Sequence, residues 1–470
     1  LIEKGWIDND YIANHTEKFE DFKAFVTDYT LDKVEEATGI TSEQVLELAT
    51  MIHEGRNVSF WWTMGINQGY EAVRSAQSII NLALMTGNIG RPGTGANSLT
   101  GQPNAMGSRV FSNQVVLYSG GDFDHEGRIK AVSEALELDP KWLPKKPTFP
   151  YNVIVEKINA GEIKALWVVA TNPRHSWTNN ETFKTAMEKL DLLIVQEIYD
   201  DTDTSAEADV FFPVVNMLKK EGTIINTERR LSAIRPVLPR EENELTDFEV
   251  IYKMGEALGM GDLLNKWQTP KDVFELMKKC SKGMPCDITG VDYDDLADSK
   301  GIQWPFREGD VLKEDERRLF EDGNYYTPSK KANFVFEAPL DDPIPTTDAY
   351  PYILNTGRGT VGQWHTQTRT REIEEIADAV SEKAYILINP ELAKDLNVSN
   401  KDLLDVSSIN GVNAQFEARL TADQPYNQLY APIHYIETNA LTPSVYDSFS
   451  KEPSYKTTPI NIQKVKEAGS

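Results

Sequence analysis

Cysteine is almost missing from this chain. Its 470 residues include two, Cys280 and Cys286. So few thiols exclude a disulfide scaffold and point to a reducing compartment, the cytoplasm. They stand in "KKCSKGMPCD", with no His or further Cys following at metal-ligand spacing, and read as two thiols in a surface loop. An iron–sulfur cluster held by this chain alone is excluded, because it needs about four thiolates. Long apolar runs are missing too: none approaches the ~18 residues that cross a bilayer, so no membrane insertion is expected. Positive charge is in deficit, 48 Lys and Arg against 73 Asp and Glu, for a net charge of −25. That balance excludes nucleic acid as a partner, since phosphate backbones call for a basic surface. It fits either plain solubility or an acidic docking face for a redox partner. The opening "LIEKGWIDNDY" has neither a signal-peptide nor a transit-peptide pattern. It begins with Leu, and the chain is read as a piece of a longer polypeptide.

What is present is ordinary globular material, 40% hydrophobic and 26% charged, long enough for two to four domains and a sizeable core. Residues 1–57 read as the helical end of an upstream domain; "TSEQVLELATMIHEG" has a Thr/Ser cap, helical apolar spacing and a Gly stop. Across 58–215, short apolar runs ("NVSFWW", "KALWVVATNP", "DLLIVQEIYDD", "ADVFFPVV") alternate with amphipathic helices. That alternation predicts a doubly wound parallel α/β sheet. Residues 216–344 read as a mixed α/β segment with a Pro-rich linker, and 345–470 as a C-terminal β-barrel of short strands interrupted by one helix, "NPELAKDLNVS". In a doubly wound sheet, ligands sit beyond the carboxyl ends of the strands. The stretches expected there, "TMGINQG", "ATNPRHSW", "QEIYDDTDTS" and "KKEGTIINTERR", are read as polar loops suited to a large polar ligand. "TGNIGRPGTGAN" followed by "SLTGQPNAMGSR" reads as an unusually long Gly- and Pro-rich loop, a length that compact domains keep for function.

These segments carry a resemblance. "WTMGINQG", "NLALMTGNIGRPGTG", "SLTGQPNAMGSR", "VVATNPRHSW", "KKEGTIINTERR", "TGRGTVGQWHTQTRT" and "SKEPSYKTTPI" occur in the order found in molybdopterin oxidoreductases of the dimethyl sulfoxide reductase superfamily, and they cover nearly the whole chain. The chain most resembles the catalytic subunits of bacterial assimilatory nitrate reductases. The resemblance implies a six-stranded, double-psi-like barrel and a molybdenum-bearing bis-(molybdopterin guanine dinucleotide) cofactor. It also implies a [4Fe–4S] cluster and a molybdenum ligand, both supplied by an N-terminal region that this chain lacks. The implied reaction is reduction of nitrate to nitrite, with ferredoxin, flavodoxin or an NADH-dependent flavoprotein subunit as electron donor. Formate dehydrogenases, periplasmic nitrate reductases and non-catalytic subunits of the same fold are the alternatives.

Carried over by motif, the implied cofactor contacts are Met64, Gln68, Asn172, Gln196, Glu197, Lys220, Asp247, Thr356, Gly357, Arg358, Trp364, His365, Thr366, Asn439 and Lys456. Several have a structural alternative. Met64 would otherwise pack in a core, Asn172 cap a turn or helix, Lys220 lie solvated on the surface, and Asp247 cap the helix that follows it. Asp247 is the candidate for guanine, because one carboxylate can accept from two guanine N–H groups. Arg109, at the end of "SLTGQPNAMGSR", is the candidate for nitrate: its planar fork of donors matches a trigonal oxyanion. Its alternative is a salt bridge that holds the loop.

Overall fold

The structure, a computed structural model, describes residues 1–112, 116–312, 317–359, 366–370, 373, 375 and 383–466. The N-terminal residues form helices, among them Ser42–Glu54, which a Thr41/Gln44 capping box starts. They pack with the strand pair β1 (Thr16–Glu17) and β10 (Ala332–Asn333), which run parallel. Phe19, Leu84, Met85 and Phe334 make the core beneath.

The α/β alternation forms parallel strands, but in two separate sheets. β2 (Ser59–Trp62) pairs with β3 (Gly95–Ser98). β4 (Ala165–Val169), β5 (Leu192–Glu197) and β6 (Val210–Pro213) form the second sheet, with β5 in the centre. Its centre is the more buried, as the continuous apolar run in β5 requires. Helices Tyr151–Asn159 and Asn180–Met187 supply Ile158, Phe183 and Ala186 to a core shared with Val168, Leu193 and Val195.

Two stretches expected as loops are ordered elements instead. Gly95–Ser98 lies in the Gly- and Pro-rich run and is strand β3, and Ala105–Val110 is a short helix. "KKEGTIINTERR" is the start of an antiparallel sheet: β7 (Gly222–Ile225) turns into β8 (Arg230–Ile234), which also pairs with β9 (Ile302–Gln303). The reason is local. Thr223, Ile224 and Ile225 favour extended backbone, and the Asn226 carboxamide accepts from the Glu228 and Arg230 N–H groups at 2.9 and 3.0 Å, folding the turn. The cysteines also differ from expectation. Cys280 ends helix Pro270–Ser281, and both thiols are buried and free; burial pushes each up to about 11. They are core residues here, not surface thiols.

The C-terminal barrel closes in the order β11 (Tyr352–Gly357), β15 (Gln428–Pro432), β12 (Tyr385–Ile388), β14 (Asn413–Leu420), β13 (Leu403–Ser408) and β16 (Thr458–Lys464). β11 runs parallel to β15 and β12 parallel to β14; the other neighbours are antiparallel. Inward residues Leu354, Ile386, Val406, Phe416, Ala431 and Ile460 are sealed from solvent, each of them but Ala431 stabilising by roughly 1.5–3 kcal/mol. No helix among the described residues is long and apolar enough to cross a membrane.

Candidate functional site

The segment after β4 meets one end of the barrel, and polar contacts sew the two together. Asn439, on the barrel-side helix Ile436–Leu441, donates to the His175 carbonyl at 2.9 Å. Asn180 donates back to the Ile436 carbonyl at 3.1 Å. The Tyr455 hydroxyl donates to the Ser176 carbonyl at 2.8 Å, and its N–H to the Gln68 carbonyl at 3.0 Å. Of the candidate residues, Asn439 and Gln68 take part in these contacts directly, and Lys456 follows Tyr455 in the chain.

On the α/β side, four of them converge. Gln196 and Glu197 end β5, and both are buried. Asp247 opens helix Asp247–Ala257 but is not its cap. Thr246 takes that role in a capping box with Glu249, which leaves the Asp247 carboxylate free for other partners. One oxygen accepts from Gln196 Nε2 at 2.9 Å and the other from Lys220 Nζ at 2.5 Å. Lys220 is therefore neither a solvated surface lysine nor a free cation; it is half-buried in an ion pair. Burial raises the Glu197 carboxyl pKa; the Ile198 N–H bond pulls it down, the Asp247 charge pushes it further up, and Arg369 and Lys220 draw it back. Asn172 is committed elsewhere. Its carbonyl oxygen accepts from Thr204 N–H and Oγ1 at 3.1 and 2.7 Å, and its amide donates to Asp203 at 3.0 Å. It makes no side-chain cap to the short helix after it and pins the loop after β5.

On the barrel side, the Thr356 hydroxyl donates to the Tyr455 carbonyl at 2.8 Å. Lys456 donates to the Thr356 carbonyl at 2.5 Å. Burial lowers the Lys456 ammonium to about 8. A Cβ on Gly357 would stand 2.4 Å from the Tyr430 hydroxyl, so only glycine lets the strand end approach that ring. Arg358 is exposed, and its carbonyl accepts from Tyr430 Oη at 2.7 Å. Thr366 is buried, sharing a 2.7 Å hydroxyl contact with Thr368. Trp364 and His365 lie outside the described residues. Met64 is 43% exposed at the start of helix Met64–Asn67, so it is not core packing. Arg109 is exposed on helix Ala105–Val110.

Sequence reading passed over a pair between buried His175 and half-buried Asp203 at 3.0 Å. Burial alone would raise Asp203; the bonds from His175 and Asn172 outweigh it and hold the carboxyl far below its usual range. Glu452, in the matched "SKEPSYK", was passed over as well, although its carboxyl bonds to Gln68. The signal was there in part, since "NPRHSW" and "YDDTDTS" were read as ligand-side loops; which acid meets which base across them needed coordinates.

Two family models match the chain. The model described as Molybdopterin oxidoreductase matches residues 7–257, and that described as Molydopterin dinucleotide binding domain matches 352–459. The chain belongs to the molybdopterin oxidoreductase family, whose domains bind a molybdenum–pterin cofactor. Among its relatives, an F420-dependent formate dehydrogenase 2 subunit alpha of Methanococcus maripaludis is 32% identical over 99% of this chain and 67% of its own length. A nitrate reductase of Synechocystis sp. is 30% identical over 98% of this chain and 66% of its own. The assimilatory nitrate reductase catalytic subunit of Bacillus subtilis is 26% identical over 98% and 65%. The chain thus spans about two thirds of the length of these relatives. Acetylene hydratase from Pelobacter acetylenicus superposes with a TM-score of 0.69 at 13% identity, over 99% of this chain and 68% of that one, a likeness of fold.

The residues on the seam fit such a group. Gln196 Oε1 and Asn439 Oδ1 are buried without a hydrogen-bond partner among the described residues, an arrangement that costs about 1–3 kcal/mol per atom unless a ligand donates to it. The Asp247 carboxylate has lone pairs left after Gln196 and Lys220.

Proposed function

We propose that the full polypeptide is a molybdenum-dependent oxidoreductase that reduces nitrate to nitrite, and that this chain is its cofactor-holding portion. The group is bis-(molybdopterin guanine dinucleotide), with a [4Fe–4S] cluster and the molybdenum ligand contributed by residues outside this sequence. When bound, it supplies two-electron oxygen-atom chemistry; nitrate, two electrons and two protons give nitrite and water. Asp247 accepts from guanine N–H groups, with Gln196 beside it. Lys220 holds the Asp247 carboxylate in place, and Lys456 places positive charge for the phosphates or pterin. Arg109 binds and orients the planar anion through its forked donors. The reaction is assigned to the cytoplasm, with a ferredoxin, flavodoxin or NADH-linked flavoprotein as electron donor.

The observation that carries the nitrate reading is Arg109 itself. It presents an exposed guanidinium from the "TGQPNAMGSR" segment, which resembles assimilatory nitrate reductases. Formate oxidation is the second reading, favoured by a formate dehydrogenase relative at comparable identity; formate is also a planar oxyanion. The test is nitrite formation by full-length holoenzyme with reduced viologen, wild type against Arg109→Ala. Arg109→Ala is expected to lower kcat/KM about 100-fold, roughly 2.7 kcal/mol, with molybdenum content unchanged. Loss of molybdenum together with activity would assign Arg109 to the fold instead.

A further inference from the structure

His175 is tied down at every polar atom but one. Its Nδ1 lies 3.0 Å from Asp203 Oδ2, and the same oxygen accepts from Asn172 Nδ2 at 3.0 Å. Its N–H donates to the Asn172 carbonyl at 3.1 Å. Its carbonyl accepts from Asn439 Nδ2 at 2.9 Å and Asn180 Nδ2 at 3.3 Å. The residue therefore stands where the segments after β4 and β5 meet the barrel-side helix Ile436–Leu441. An ionised carboxylate only accepts, so Nδ1 carries the proton, and in the neutral ring Nε2 is an acceptor. That Nε2 is buried and has no hydrogen-bond partner among the described residues. Asn439 Oδ1, on the residue that holds the His175 carbonyl, is orphaned in the same way. Buried polar atoms are normally paired, so two orphans on residues in direct contact mark a place for a donor from outside the chain.

We propose that His175 is a further binding residue of the dinucleotide site, its Nε2 accepting from a ribose hydroxyl of the guanosine, with Asp203 as the positioning residue that fixes the tautomer. The assignment rests on Asp247 and Gln196 reading guanine, as set out under the proposed function. Strand register favours the sugar. Gln196 pairs with Val169 on the adjacent parallel strand, and Ala170 N–H donates to the Gln196 carbonyl at 2.9 Å. Adjacent strands lie about 4.8 Å apart, so the segment running on from Val169 to His175 starts one strand away from the base frame. The part of a nucleotide next to its base is the ribose. Chemistry selects the same partner. An ionised phosphate oxygen has no proton to give Nε2, and the guanine N–H groups go to Asp247, whereas ribose presents hydroxyl donors.

The experiment is a thermal-shift titration of cofactor-free full-length protein with guanosine diphosphate and with its 2′,3′-dideoxy analogue. Wild type should bind guanosine diphosphate about tenfold more tightly than the analogue, the worth of one hydrogen bond. His175→Asn keeps an amide N–H near the Nδ1 position for Asp203 but has nothing at Nε2, and should bind the two nucleotides equally. His175→Gln brings an amide oxygen to the Nε2 position and should recover part of the preference. Asp203→Asn, which no longer fixes the tautomer, should narrow the preference without abolishing binding. Asp247→Ala should weaken both nucleotides alike, which separates the base frame from the sugar contact. A His175→Asn protein that keeps the full preference, whether or not its overall binding falls, or a wild type with no preference, overturns the proposal. Wild type shifted by neither nucleotide sinks the guanine reading itself, and the ribose assignment with it.

Discussion

The two sides of the seam each offer a lysine, and they are held in opposite ways. Lys220 on the α/β side lies against the Asp247 carboxylate at 2.5 Å. Lys456 on the barrel side lies against a backbone carbonyl, and burial brings it down to about 8. The first is a charge already compensated inside the protein. The second carries a desolvation cost that an anion from outside would offset. A site for a long ligand with phosphates at some places and a base at others needs both kinds: fixed hydrogen-bonding frames for the base, and uncompensated charge for the anion.

The largest expected effect breaks the contrast at Lys456. Its folded-state pKa is below the usual lysine value of about 10.4. Between about 8 and 10.4 the unfolded chain therefore holds a proton that the folded chain has released, and stability should rise with pH across that window by up to about 3 kcal/mol. Lys456→Met should remove that rise and make the cofactor-free protein more stable than wild type at neutral pH, while weakening cofactor retention. Denaturant melts of both proteins across the window check it, and parallel curves would show that Lys456 is not desolvated. Next comes Asp247→Ala. It leaves Lys220 unpaired and gives Gln196 a second unsatisfied polar atom, for about 2 kcal/mol of lost stability, with cofactor content falling as well. Asp247→Asn, which still accepts a hydrogen bond, should recover part of the stability but not the guanine-type retention; equal cofactor content in all three proteins would remove Asp247 from the site. The smallest effect sharpens the barrel side. Gly357→Ala puts a Cβ 2.4 Å from the Tyr430 hydroxyl, and moving that ring should cost about 1–2 kcal/mol, seen as a lower melting midpoint with no change in its pH dependence.

Much of this site could be read from the sequence because the chemistry sits where strand periodicity ends. "LLIVQE" announces β5 by its apolar run and its ligand-side residues by the switch to Gln196 and Glu197. Asp247 was identified by motif, but its freedom for other partners depends on Thr246 taking the cap, and a Thr-Asp pair before a helix does not say which residue caps. The missed strands have local causes: β3 lies in a glycine-rich run whose period-2 signal is blurred, and β7 and β8 are joined by a turn that Asn226 folds through its own side chain. The cysteines were misplaced because two thiols in a Lys- and Gly-containing stretch look solvent-exposed, whereas Cys280 sits on the buried face of a helix whose Lys271 and Lys279 are exposed. His175–Asp203 and Glu452–Gln68 are long-range pairs, and no spacing rule joins residues 28 or 384 positions apart.

The central claim is that the seam between the α/β strands and the barrel holds a molybdenum–pterin dinucleotide. The most direct measurement is molybdenum and acid-released guanine nucleotide per chain in the purified full-length protein, wild type beside Asp247→Ala and Lys456→Met. The account predicts about one molybdenum and two guanine nucleotides per wild-type chain, with both reduced in the variants. Wild-type protein carrying neither, or variants that retain both in full, would contradict it.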